Sequence, residues 1–480
     1  MFRRGLAVCL LLATTVVPAG ARAPAVEAAP GERGVIVELF QWTWDSVGQA
    51  CRTGLPEAGY GAVQVSPPQE HVILPELGYP WWQDYQPVSY QLSSTRRGTL
   101  AEFEVMIDTC HANGISVYVD TIINHMAGEN GCRTGSAGSS YCHYDYPAVP
   151  YDYSDFHHCG RNGDDDIENY QDRYEVQNCE LLNLSDLDTG SADVRRRIAE
   201  YLNHLLSLGV DGFRIDAAKH VAAGDIAAIL DKLQDPAYIY QETLYSAGEP
   251  VKPSEYTAGG DVMDGRYARD LTKIFNHEKL AYLETFASPV PSEQAVVFVD
   301  NHDTQRSGGT LSYRDNARYA LANAFMLAWP YGRPKVMSSF RFSDRDQAPP
   351  SDDAGRTRDT TCFSGGWRCE HRWLAIRNMV GFHNVAGDAP VVRWWDNGND
   401  AIAFGRGSKG YLIVNDEAEA VTGRSYHTNL PAGRYCDVIH GEMLNGSCNG
   451  PVYTVDANGW FRADVAAHDA IALHVGARLE

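Results

Sequence analysis

The sequence predicts an α/β protein: a closed (β/α)8 barrel, interrupted by an inserted excursion domain and followed by a C-terminal antiparallel β-sandwich. Three observations lead there. Short apolar or β-branched runs alternate with helical patterns through the first two-thirds of the 480 residues. From about 126 to 186 that rhythm stops, and after about 386 helical periodicity vanishes. Alternation of this length argues for parallel strands with helical crossovers, and at least seven strands in one run favour a closed barrel over an open sheet.

The elements follow in order. Arg3 and Arg4 precede an apolar run from Leu6 to Val17, with small-residue cleavage sites at Ala21-Arg22-Ala23 and at Ala28-Ala29. Residues 1–29 therefore read as an export signal, the run being shorter than the roughly 20 residues of a membrane span. The first barrel segment, 30–125, has strand candidates at 35–40, 61–66 and 115–122, and Thr99 with Glu102 forms a capping box for a helix ending near Gly114. The excursion, 126–186, is rich in Gly, Ser, Tyr, Asp and Asn and is too long for an ordinary loop. The second barrel segment, 187–385, has strand candidates at 209–216, 238–242, 295–300 and 335–339. A helix after Ser191 there buries Val194, Ile198, Leu202, Leu205 and Leu206 and stops at Gly209. Over 386–480, the runs AIAF, YLIV, YCDVI, PVYTV and AIALHV alternate with Gly and Asn turns, as in an antiparallel sandwich.

Charge and cysteines narrow the setting. The formal charge of −22 argues against a nucleic-acid partner and suits a neutral or cationic ligand. No later stretch is apolar enough to cross a bilayer, so a secreted, extracellular protein without a membrane partner is expected. Of 11 cysteines, Cys9 lies in the signal and ten remain to pair in an oxidising compartment. Close spacing suggests Cys132–Cys142, Cys159–Cys179, Cys362–Cys369 and Cys436–Cys448, leaving Cys51 with Cys110. With no paired C-x-x-C and the cysteines spread along the chain, a zinc site is disfavoured.

Four acids lie at strand ends. In 209–216 the strand period puts Arg214 and Asp216 on one face and Phe213 and Ile215 on the other. The arginine is expected to hold Asp216 ionised, as a nucleophile requires. Asp120 opens Asp-Thr-Ile-Ile-Asn-His, Glu242 ends Tyr-Ile-Tyr-Gln-Glu, and Asp303 closes Phe-Val-Asp-Asn-His-Asp. Singly, each could be an ion-pair, capping or turn residue. C-terminal strand ends of a barrel converge on one mouth, and converging carboxylates suit glycoside hydrolysis.

The ordered set Asp120-x-x-x-Asn124-His125, Gly212-Phe-Arg214-Ile-Asp216-Ala-Ala-Lys219-His220, Glu242 and Phe298-x-x-Asn301-His302-Asp303 resembles the α-amylase family of glycoside hydrolases, in detail its animal-type members and the actinobacterial enzymes like them. The resemblance spans essentially the whole mature chain. It implies Asp216 as nucleophile, Glu242 as general acid/base and Asp303 as transition-state stabiliser. Glu242, following Tyr and Gln with no adjacent cation, is expected to keep the higher pKa of a proton donor. Glu249, in a Gly-Glu-Pro loop, is the rival acid.

The resemblance also implies sugar contacts from Trp81, Trp82, Tyr85, Gln86, His125 and His302, and site-wall positions at Tyr170, Leu181, Arg214, Lys219 and His220. It implies calcium held by the Asn124 and Asp186 side chains and the Gln177 and His220 carbonyls; arginine is frequent where Gln177 stands. Asp164-Asp165-Asp166 reads instead as a solvated acidic turn. A chloride ion would take Arg214, Asn301 and Lys335, the lysine replacing a more usual arginine; the competing reading pairs Lys335 with a carboxylate, such as Glu242. After Asp303 the chain reads Thr-Gln-Arg-Ser-Gly-Gly-Thr-Leu, shorter than the animal glycine-rich loop and without its histidine.

The expected function is endo-hydrolysis of α-1,4-glucans such as starch and glycogen by a monomer. A transglycosylase, an inactive carbohydrate-binding protein and a metal-dependent barrel hydrolase are the alternatives. A pure binder has no need of all three acids.

Overall fold

The computed structural model describes residues 34–128 and 131–479. The export signal expected over 1–29 lies outside the described residues.

Eight parallel strands close into a barrel: β1 (Ile36–Leu39), β2 (Ala62–Val65), β3 (Ser116–Thr121), β4 (Gly212–Ile215), β5 (Tyr238–Gln241), β6 (Asp261–Met263), β7 (Ala295–Phe298) and β8 (Arg333–Ser338). Each neighbours the next in sequence, and β8 returns to β1 with Ile36 opposite Lys335. The sequence reading located seven of the eight. It passed over β6 because Asp261-Val-Met263 is three residues long and carries no apolar run.

Helices cover the outside. Thr99 accepts the Glu102 N–H while Glu102 reaches back to Thr99, so the capping box starts the helix Leu100–Ala112. The helix Ala192–Ser207 buries Val194, Ile198, Leu202, Leu205 and Leu206 against the barrel. Inside, Ile36, Ala62, Tyr118, Tyr240, Met263, Val296 and Phe298 form a plug. Two residues further along the same faces the interior turns polar, at Glu38, Gln64, Asp120 and Arg214. The barrel thus has an apolar floor and a charged upper layer at the C-terminal ends of its strands.

The excursion leaves β3 and returns before Ala192. It is tied down by an antiparallel ribbon, Cys132–Thr134 with Ser140–Cys142, and by bridges joining His125 to Asp186 and Phe156 to Leu187. Disulfides join Cys132 to Cys142 and Cys159 to Cys179 within it, and Cys51 to Cys110, Cys362 to Cys369 and Cys436 to Cys448 elsewhere.

The C-terminal region is antiparallel. A four-stranded sheet contains β9 (Val391–Asp396), β10 (Ala401–Arg406), β11 (Gly410–Asn415) and β16 (Asp469–His474). Facing it are β12 (Val421–His427) with β15 (Trp460–Val465), and β13 (Gly433–Cys436) between β14 (Val452–Val455) and β17 (Arg478–Leu479). Strands β10, β11 and β16 are buried on both faces. Ile402, Phe404, Leu412, Val414, Ala470 and Ala472 belong to the barrel's own apolar cluster, while Ala403, Tyr411, Ile413, Ile471 and Leu473 fill the sandwich. That double burial explains why AIAF and YLIV read as unbroken apolar runs.

Candidate active site

One guanidinium organises the upper layer of the barrel. Arg214, fully buried on β4, places Nη1 2.6 Å from Asp120 Oδ1 and 2.6 Å from Asp216 Oδ1. Its Nη2 lies 2.6 Å from Glu242 Oε1, a close ion contact without hydrogen-bond alignment. Asp216 follows the last residue of β4, and Glu242 follows β5, the neighbouring strand. Between Asp216 and the next turn, Ala217 takes a left-handed conformation, φ 47°, and donates its N–H to Glu242 Oε2 at 3.0 Å. A non-glycine residue held there is costly and serves to fix the turn. Asp120 also accepts from the Tyr85 hydroxyl at 2.9 Å.

The expectation that Arg214 singles out Asp216 is corrected. The cation touches Glu242 equally closely, a contact between adjacent strands that sequence adjacency cannot reveal. Burial pushes Asp216 up to about 8 against the pull of Arg214. Burial raises Glu242 too, but Arg214, His302 and the Ala217 N–H outweigh it and leave this carboxyl below its ordinary value. Asp120 is raised, chiefly by burial. Three carboxylates face one guanidinium, so the cluster holds a proton at neutral pH and titrates as a unit.

Asp303 is the second residue of the helix His302–Ser307, at the mouth, its side chain 42% accessible. His302 spans two carboxylates, with Nδ1 2.7 Å from Glu38 Oε1 and Nε2 3.3 Å from Asp303 Oδ2. Burial lowers its pKa, but Asp303 and Glu38 overcome that and raise it. Lys335 is ion-paired with the other oxygen of Glu38, not with Glu242. Burial raises Glu38, yet Lys335 and His302 hold it well below the ordinary carboxylate range. Glu38 had no place in the sequence reading; its signal is a lone acid inside the apolar run VIVELF.

Asn301 caps the same helix, its Oδ1 accepting the Asp303 and Thr304 N–H groups. Its Nδ2 is buried without a partner, as are Arg214 Nε and, in hydrogen-bond terms, Arg214 Nη2. These orphaned donors fit an anion, and Lys335, the third residue expected to hold it, is ion-paired with Glu38.

A cleft of about 340 Å³ opens beside Asp303, lined by Trp81, Lys219, Tyr245, Thr304 and Arg306. Trp81 stands edge-on to His302, with ring centroids 5.4 Å apart, and donates its indole N–H to the Arg345 carbonyl. Trp82 is half-buried and Tyr85 stacks on His302 at 5.1 Å. Gln86 uses its side-chain oxygen to accept the Gly128 N–H. Both His125 ring nitrogens meet protein groups, Tyr85 O at 2.9 Å and Asn124 Nδ2 at 3.2 Å, and burial lowers its pKa to about 4. Lys219 lies over the Tyr170 ring at 4.9 Å and pairs with Glu249 at 2.6 Å. The rival acid is therefore bound to a lysine, while Leu181 sits in the excursion's own bridge to Leu184. Arg306 went unnoticed in the sequence: its guanidinium lies 4.4–5.0 Å from the rings of Phe40, Trp81, Phe340 and Phe342 and donates to the His302 carbonyl.

Residues 62–244 match the α-amylase catalytic domain, and 394–476 the α-amylase C-terminal all-β domain. An α-amylase of Streptomyces violaceus is 50% identical over 482 residues, spanning 99% of this chain and 80% of that protein. The chain belongs to the α-amylase family. Human α-amylase 1B, another relative, is 42% identical, with 93% of this chain and 95% of that protein covered. The crystal structure of α-amylase I from Eisenia fetida matches with a TM-score of 0.89 at 40% identity, covering 93% of this chain and 98% of that one. A variant of the same enzyme, solved in complex with maltohexaose, matches with a TM-score of 0.88.

The calcium donors implied by the α-amylase resemblance come from three elements. Asn124 follows β3, Gln177 and Asp186 lie in the excursion, and His220 ends the turn after β4. The bridge from His125 to Asp186 brings the first and third together. Gln177 Nε2 donates to the Tyr256 hydroxyl, which in turn donates to the Val221 carbonyl at 2.7 Å and lies 3.2 Å from the Lys219 carbonyl, on either side of His220. Burial raises the Asp186 carboxyl to about 6, with His157 2.6 Å away. Among the described residues no group of three or more His, Cys, Asp or Glu could hold a metal. A donor set of one carboxylate, one amide and two carbonyls is hard and oxygen-only, and fits calcium.

Proposed function

We propose that the protein is a secreted, retaining endo-hydrolase of internal α-1,4-glucosidic bonds in starch, glycogen and maltooligosaccharides. The observation that carries this reading is the Arg214 bridge. By touching Asp216 with one nitrogen and Glu242 with the other, it supports the close carboxyl spacing, about 5–5.5 Å, that double displacement needs. Asp216 attacks the anomeric carbon and forms a covalent glycosyl ester. Glu242 gives a proton to the departing glycosidic oxygen, then takes one from the water that cleaves the ester. The proton required is the one the buried cluster retains near neutral pH. Asp303, exposed in the cleft and braced by His302, meets the positive charge of the transition state. Trp81 offers an aromatic wall for the sugar rings.

Calcium held by Asn124, Asp186, Gln177 and His220 would supply a cross-link between excursion and barrel. Chloride held by Arg214 and Asn301 would supply negative charge beside the guanidinium, relaxing its pull on Glu242 and lifting the pKa of the acid. The orphaned donors favour such an ion. A chloride titration from chloride-free buffer is expected to raise kcat; a flat response removes the anion.

Digestion of soluble starch tests the whole reading. α-Configured maltooligosaccharides should appear with the parent protein and not with Asp216→Asn. Inverted products would overturn the mechanism, and full activity in Asp216→Asn would overturn the assignment.

A further inference from the structure

Glu38 sits on β1, 1% exposed, and takes no step in the hydrolysis described above. Its carboxylate is shared. One oxygen pairs with Lys335 on β8, and the other lies 2.7 Å from His302 Nδ1. The second nitrogen of the same imidazole, Nε2, lies 3.3 Å from Asp303 Oδ2. A buried histidine ring therefore has a carboxylate at each nitrogen.

A neutral imidazole carries one N–H and one lone pair. With the proton on Nδ1, the Nε2 lone pair would oppose Asp303; with it on Nε2, the Nδ1 lone pair would oppose Glu38. Only the imidazolium gives both carboxylates a donor. The aromatic neighbours suit a cation as well, Phe40 stacking on the ring at 4.8 Å and Tyr85 at 5.1 Å. Burial disfavours the charged ring, but Asp303 and Glu38 outweigh it, against an opposing push from Arg214 on β4. Asp120 on β3 and Glu242 after β5 feel the same cation, and Arg306 donates to the His302 carbonyl. The two carboxylates differ in permanence. Asp303 is 42% accessible and free to meet substrate, whereas Glu38 is sealed from water and keeps its hold on the ring.

We propose that Glu38 is a positioning residue for the hydrolytic site, holding His302 as the doubly protonated imidazolium so that its Nε2–H stays aimed at Asp303 and at the sugar bound beside it. This role rests on the reading of His302 and Asp303 as groups that meet the substrate. It gives Asp303 a fixed donor before the sugar arrives, and gives the sugar a charged donor afterwards.

The test is a pH titration of His302 followed by 15N NMR on histidine-labelled protein, its resonances assigned by their loss in His302→Asn. At pH 7 both ring nitrogens should show the imidazolium signature in the parent protein. Glu38→Gln keeps the shape of the side chain and removes its charge. In that variant the His302 midpoint should fall by about one to two pH units, the worth of one charge-assisted hydrogen bond. The alkaline limb of kcat/KM on a maltooligosaccharide should also move to lower pH. A neutral His302 at pH 7 in the parent, an unchanged midpoint in Glu38→Gln, or an unmoved rate profile overturns the proposal. Should Glu38→Gln not fold with Lys335 stranded, the same comparison is made between Lys335→Met and Glu38→Gln/Lys335→Met, with the same outcomes deciding. The midpoint is read without turnover, so it can fail while the starch products and the loss of activity in Asp216→Asn stand, and can hold if they do not.

Discussion

Arg214 neutralises one charge among Asp120, Asp216 and Glu242, and that mismatch governs how the site responds to pH. With Asp216 raised from 3.8 to about 8, the native protein holds a proton that the unfolded chain releases. Stability from this group therefore declines as pH rises between those values. Activity should fall as pH climbs through about 8, when the cluster loses the proton the acid must donate. Asp216→Asn should lower kcat by about 10⁴-fold or more. Its unfolding temperature should be no lower than that of the parent at pH 8, since an amide carries no buried charge; a clear drop there would contradict the cluster electrostatics. Glu38 behaves oppositely. Its depressed carboxyl stabilises the fold fully above the ordinary value of 4.5 and loses that contribution as pH falls below it. Glu38→Gln strands a buried lysine and should cost about 3 kcal/mol in denaturant titration at pH 7, with the deficit shrinking in acid. Asp216, Glu242 and Asp303 were legible because each ends a strand candidate within a motif. The cation contact with Glu242 was not, because it joins residues 28 apart in sequence across two strands.

At the level of elements, legibility followed burial. Strands β1, β2, β3, β4, β5, β7 and β8 stood out because nearly all their residues are buried. Strands β9 and β12 escaped notice because exposed and half-exposed residues such as Arg393, Thr422 and Gly423 break their apolar pattern. A side-chain clasp links two of the C-terminal elements. His440 meets Asp437, just past β13, at 2.6 Å and Asp469, at the start of β16, at 3.0 Å. Hydrogen bonds to these two carboxylates raise its pKa from 6.5 to about 10. The clasp stabilises fully below 6.5 and is lost as pH rises through about 10. The ring is 38% exposed, so solvent screening limits the effect to about 1 kcal/mol. His440→Gln should lower the melting temperature at pH 6 and leave it unchanged above pH 10; an equal drop at both would show that packing, not charge, is responsible.

The whole molecule is braced between barrel and excursion at the point where calcium is proposed to bind. EDTA on prolonged incubation should lower both melting temperature and starch hydrolysis, and added calcium should restore both; indifference to EDTA would remove the ion. The C-terminal region, by contrast, meets the barrel through direct side-chain contacts. Phe404 stacks edge-on against Phe325 and Trp329 of the barrel side, and Arg406 donates to the carbonyls of Ala328, Gly387 and Ala389. Because β10 and β11 wear one face for each neighbour, they act as a party wall. A chimera that borrows a relative's C-terminal half keeps that wall whole only if spliced before Ala317, where the helix Ala317–Ala328 travels with the sheet it packs on but β8 leaves its partners β1 and β7. A seam at 386, where the pattern of the sequence changes, would part the two sides of that wall.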